Sequence, residues 1–149
     1  MRPPTVLSCS FLCALLAMNA TFAPLAFCAE PAWVQLDESS DSSFFYDQSG
    51  TSTSKEGIVR VTTRVVYTEL GKADALKVLA GAKNMARLYE SRYSHDLNCA
   101  ERESRLLAAI HLDREGATLR STDLASATEW EEIPPQARMA LVAEEVCTR

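Results

Sequence analysis

Glycine is scarce in this sequence, histidine is scarcer, and basic residues are outnumbered by acidic ones. With five glycines in 149 residues and no cluster among them, no loop is suited to cradle phosphates on its backbone amides. The two histidines, His95 and His111, are too few to build a metal site with the available cysteines. Nor do they supply a nucleophile, a base and a group to orient that base. His111 alternates with Arg105 and Asp113 onto the polar side of its segment, and His95 adjoins Asp96, so both read as surface histidines. A net charge of −5 and the lack of a basic patch argue against nucleic acid as a partner. No catalytic residue, metal ligand or cofactor is therefore expected, and the chain does not read as an enzyme.

Charge is also missing from the start of the chain. After Arg2 the run from Val6 to Phe27 carries no charged side chain, and small residues follow before Glu30, the pattern of a secretory signal peptide. Asn19, Thr21 and Pro24 interrupt the run and leave it short for a membrane span. Residues 1–28 are thus expected to be a signal peptide and 29–149 one domain, exported to the periplasm or the cell surface. Ala26 and Cys28 fit small-x-small cleavage, with a mature start at Ala29 or Glu30. The rival route is a lipobox in "LAFC", with Cys28 as the acylated residue, although Phe27 is a poor match there. Membrane association is expected only on that second route.

Cysteine is in short supply once the leader is set aside. Cys9, Cys13 and Cys28 fall in it or at its edge, leaving Cys99 and Cys147 for the folded part. In an oxidising compartment these two are expected to pair.

What is abundant is strand and helix patterning. "PAWVQLDE" suits a first strand opened by Trp33, and Phe44 to Tyr46 a second, with no core element between Gln48 and Glu56. "IVRVTTRVVYTE" alternates cleanly: Val59, Val61, Thr63, Val65 and Tyr67 point one way, and Ile58, Arg60, Thr62, Arg64 and Val66 the other. Arg60 and Arg64, about 13 Å apart at strand rise, read as solvated side chains on a wet sheet face. The functional alternative is a small anion-binding surface. Leu76, Leu79, Ala82, Ala86 and Tyr89 fall at helical spacing and predict a helix lying on the sheet. Pro134-Pro135 can open a last helix, in which Met139, Val142 and Val146 form an apolar stripe with Ala143 beside it and Cys147 near the buried side. Residues 97–119 stay divided: Ala, Glu, Arg and Leu favour helix, whereas the alternation of Leu106, Ala108, Ile110 and Leu112 favours a strand ending in a turn at Gly116.

Taken in order, Trp33, Tyr46-Asp47, Val59-Arg60-Val61 through Tyr67, Cys99-Ala100-Glu101-Arg102, Asp113, Gly116, Trp130, Ile133, Pro134, Leu141 and Cys147 resemble the bacterial surface-adhesin protein E-like domain. Thr62 departs from it, standing where family members often carry Trp. The resemblance implies an α+β fold: an antiparallel β-sheet of about six strands with a C-terminal helix packed on its concave face and tied by the Cys99–Cys147 disulfide. It favours strand for the divided stretch, with Asp113 to Gly116 as the hairpin turn. A regular strand through Cys99 would turn Glu101, Glu103 and Arg105 toward the helix, so a bulge or an exposed strand end is expected there. The family's activity implies a non-enzymatic module that binds extracellular-matrix or envelope proteins. The alternative is a small periplasmic structural protein without adhesin activity.

Overall fold

The computed structural model describes residues 30–79 and 84–148. The described residues form one antiparallel sheet and two α-helices. Its strands are β1 (Trp33–Glu38), β2 (Ser42–Asp47), β3 (Ser52–Thr53), β4 (Ile58–Tyr67), β5 (Glu90–Asn98), β6 (Glu103–Leu112), β7 (Thr118–Asp123) and β8 (Glu131–Glu132). The main path runs β1-β2-β4-β5-β6-β7, with the two-residue strands β3 and β8 added against β4 and β6. Six full strands is what the resemblance implied. The segment expected to be a signal peptide, with Cys28, falls outside the described residues.

β4 forms as its alternation predicts. Val59 and Val61 are buried on one face, where Phe44, Tyr46 and Leu97 join them. Helix α2 (Arg138–Cys147) lies over this face and buries Ala140 and Val142, with Met139, Ala143 and Val146 packed beside them. Ile133 closes the same core and is 3% exposed. The helix begins at Arg138 rather than at the prolines: Pro134 shapes a turn whose carbonyl accepts from the Ala137 amide at 3.0 Å. A disulfide joins Cys99 to Cys147 at the helix end.

The divided stretch is strand, and the burial conflict at Cys99 disappears because Cys99 is not inside it. β5 ends at Asn98, residues 99–102 form a turn that is exposed after Cys99, with Arg102 at φ 57°, and β6 starts at Glu103. At the other end the Gly116 amide donates to the Asp113 carbonyl at 3.1 Å, with Gly116 at φ 82° as the turn requires.

Two expectations are corrected here. Among the described residues the predicted long helix is α1 (Glu69–Val78), with Leu79 as its C-cap. A single 3₁₀ turn follows at Met85–Arg87, and Tyr89 is already extended, its amide bonded to the Leu112 carbonyl at 2.9 Å. Ala82 lies outside the described residues. The second correction concerns β6. Its register shifts opposite Ser94/His95, which leaves Leu107 as an extra residue. A one-residue bulge exchanges the faces of everything beyond it. Arg105 therefore faces away from α2, while His111 turns in with Leu106 and is 3% exposed.

Helix α1 is docked by close backbone contact. Thr68 caps it by accepting from the Gly71 amide at 3.2 Å, and the same hydroxyl donates to the Asp41 carbonyl at 3.0 Å. Gly71 is buried against the turn between β1 and β2, where a Cβ would lie 2.0 Å from the Asp41 carbonyl oxygen.

Candidate functional site

The sheet face opposite α2 carries both candidate arginines, and neither is simply solvated. Antiparallel pairing sets Arg60 across from Asp96, and Asp96 across from Arg105. The Arg60 guanidinium grips Asp96 with two hydrogen bonds, Nε to Oδ1 at 2.8 Å and Nη2 to Oδ2 at 3.0 Å, and Arg105 Nη2 reaches Oδ2 at 3.2 Å. The Asp96 side chain is 6% exposed. Hydrogen bonding from Arg60, reinforced by Arg105, holds its carboxyl below the usual carboxylate range. Arg105 lies over the Trp130 ring at 5.1 Å. Arg60, Arg105 and Trp130 line a cleft of about 350 Å³ whose rim carries the hydroxyls of Ser52, Thr53 and Ser54.

Arg64 belongs to a second cluster of the same design. It pairs with Glu90, 5% exposed at its side chain, and Glu90 also holds Arg92. Both guanidiniums sit 5.5 Å from the Trp33 ring, and Arg64 also lies 5.7 Å from Phe45. Each cluster thus sets two cations around one buried carboxylate, with Arg64 and Arg92 leaning on Trp33 and Arg105 on Trp130. Such packing fixes long side chains that would otherwise be mobile, and it leaves each cluster one positive charge in excess. Arg60 is the most accessible of the four, its side chain 62% exposed, whereas Arg64 is 24% exposed.

Arg92, Arg105, Asp96 and Glu90 were not among the binding residues named from the sequence. Their signal was the alternation Glu90, Arg92, Ser94, Asp96 along β5, which becomes legible only when β4 is known to be the neighbour.

The histidines are placed differently from the surface positions expected for them. His95 is largely buried, and burial pushes its imidazole down to about 4. His111 Nδ1 lies 2.7 Å from Ser91 Oγ, and Ser91 is 0% exposed. A serine without accessible surface offers no substrate access, so this pair is a buried polar contact rather than a nucleophile with its base. Among the described residues no group of three or more His, Cys, Asp or Glu could hold a metal ion. No described helix is long and apolar enough to cross a membrane.

The fold and both clusters can now be set against known proteins. The family model for surface-adhesin protein E matches residues 33–148. The chain belongs to that family. The surface-adhesin protein E match spans both clusters, the disulfide and α2. Among solved structures, the chain is similar to protein E of Haemophilus influenzae, with a TM-score of 0.55 and 12% identity over 80% of this chain and 86% of that one. At that identity the likeness is one of fold. No curated protein sequence matches the chain.

Proposed function

We propose that this surface-adhesin protein E domain is an exported binding module that engages extracellular-matrix or envelope proteins through the sheet face opposite α2. One observation supports the reading: two buried carboxylates hold four arginines in place on that face, three of them leaned on Trp33 or Trp130. Arginine and tryptophan are the side chains most often found at the energetic centre of protein interfaces. Holding them rigid before contact lowers the entropy cost of binding. The local excess of positive charge, on a chain whose net charge is −5, selects for acidic surfaces.

The test is binding of the purified chain to immobilised matrix proteins and envelope fractions, comparing the parent with Arg60→Gln/Arg64→Gln. The double variant leaves Arg105 on Asp96 and Arg92 on Glu90, so neither buried acid is stranded and the fold is kept. Saturable binding that weakens about tenfold or more in the variant is the expected result, the effect of losing two interface cations. Saturable binding to none of the panel would favour the structural periplasmic role. Export rests on the leader, and an intact mass starting at Ala29 or Glu30 is expected. A diacylglyceryl mass on Cys28 would instead anchor the domain to a membrane.

A further inference from the structure

A second surface feature lies away from the arginine clusters, on the α2 side of the sheet but beyond the helix. There Tyr93, Leu106, Ala109, His111, Arg120 and Thr122 line a groove of about 320 Å³, with Val78 and Leu79 at the end of α1 forming one wall. That volume falls in the range that small-molecule sites occupy. The bulge at Leu107 creates the groove floor, because it is what turns Ala109 and His111 onto this face beside Leu106.

A chain of hydrogen bonds under the floor ends on His111. Tyr67 Oη donates to Ser91 Oγ at 3.0 Å, and Ser91 Oγ lies 2.7 Å from His111 Nδ1. With the Ser91 hydrogen given to Nδ1, the ring proton sits on Nε2, the tautomer that points a donor away from Ser91. Nε2 has no partner among the described residues, yet it is not enclosed: Arg105 Nε is the buried side-chain nitrogen or oxygen that lacks a partner there. The Tyr93 ring meets His111 edge-on, with centroids 6.2 Å apart, and holds the imidazole plane. Burial, then the positive charge of Arg120, lowers the His111 basicity, so the ring stays a neutral donor.

The charges of the groove are one-sided. Arg120 sits across the β6–β7 pair from His111; among the described residues it is the only charged one lining the groove, and no acid pairs with it. Val78 is 87% exposed at the rim, an apolar side chain with little to cover it. We infer that this groove binds a small monocarboxylate with an apolar body, the carboxylate taken by Arg120 and His111 Nε2–H and the body laid along Leu106, Ala109, Tyr93 and Val78. One cation plus one neutral donor matches a single negative charge, whereas a phosphate dianion would leave charge uncompensated. The site is independent of the arginine face proposed above.

The experiment is an NMR titration of the full chain with octanoate, using octanol and acetate as probes that carry only the apolar body or only the anion. Saturable shifts at Ala109, His111 and Thr122 are expected with octanoate, with each control at least tenfold weaker. Arg120 is exposed on an edge strand, so Arg120→Gln should fold normally and weaken octanoate about tenfold, the loss of one charge-assisted hydrogen bond. Nitrogen-15 spectra of the free protein should place the His111 proton on Nε2. The inference is overturned if octanoate fails to saturate, if octanol binds as well as octanoate, if Arg120→Gln leaves affinity unchanged, or if the proton is on Nδ1. None of these results bears on binding at the arginine face.

Discussion

Replacing Cys99 and Cys147 together by alanine removes a cross-link between residues 48 apart in sequence, from the turn after β5 to the last residue of α2. In the chain-entropy model a closed loop of about 49 residues stabilises the fold by roughly 4 kcal/mol, and loss of a native bridge from a small secreted domain typically costs about 2–5 kcal/mol. At this chain length that corresponds to a fall of roughly 15 °C in Tm. The damage should be local before it is global. The first turn of α2 keeps its own anchor, with Arg138 Nε on Asp37 Oδ2 and Nη1 on Ser42 Oγ, both at 2.8 Å. The last turn is tied by Cys147 itself, and a cleft of about 120 Å³ lies beside the bond, between Leu97, Ile133 and Ala143. Urea unfolding measures the total, and amide hydrogen exchange locates it. Protection should fall first at Val146 and Cys147 and survive longest near Ala140 and Val142. A change below about 1 kcal/mol, or fraying that starts at Arg138, would refute the view that the bridge is what closes the helix onto the sheet.

Two further outcomes follow from buried groups and a tight contact. The His95 imidazole is held at about 4 by burial, against about 6.5 in an unfolded chain. The unfolded state therefore takes up a proton that the folded state refuses, so this contribution is complete above about pH 6.5 and declines by about 3 kcal/mol on acidification toward pH 4. His111, lowered in the same direction, adds to the slope, while Asp96, held low chiefly by Arg60, withdraws its contribution only as pH falls through the carboxylate range. Urea midpoints that stay level from pH 7 to pH 4.5 would contradict this account. Gly71→Ala in a free helix would stabilise by about 1 kcal/mol. Here the new Cβ would meet the Asp41 backbone 2.0 Å away, so a loss of about 1–3 kcal/mol is expected from overpacking. A higher Tm for this variant would show that α1 is not docked as described.

Wherever a short-range pattern carries the information, the sequence is enough. β4 needed only its β-branched alternation and α2 only the stripe of Met139, Val142 and Val146, whereas the β6–β7 turn at Gly116 needed the family resemblance to choose strand over helix. Cys99 and Cys147 were left as the mature pair by elimination, without geometry. Tertiary structure decided what depends on pairing between distant segments. Leu107 resembles its neighbours in every local respect, yet the β5 register makes it the bulged residue, and that one insertion moves His111 from the wet face to a buried contact with Ser91. Arg60 reads locally as a solvated side chain until the β4–β5 register sets it opposite Asp96. The helix predicted through Tyr89 likewise gives way to β5, because the extended backbone from Tyr89 onward gains hydrogen bonds to β4 and β6 that an isolated helix could not supply. Periodicity is a property of neighbours along the chain, whereas register is chosen by the packing of the whole sheet, and every candidate binding residue in this protein owes its partners to register.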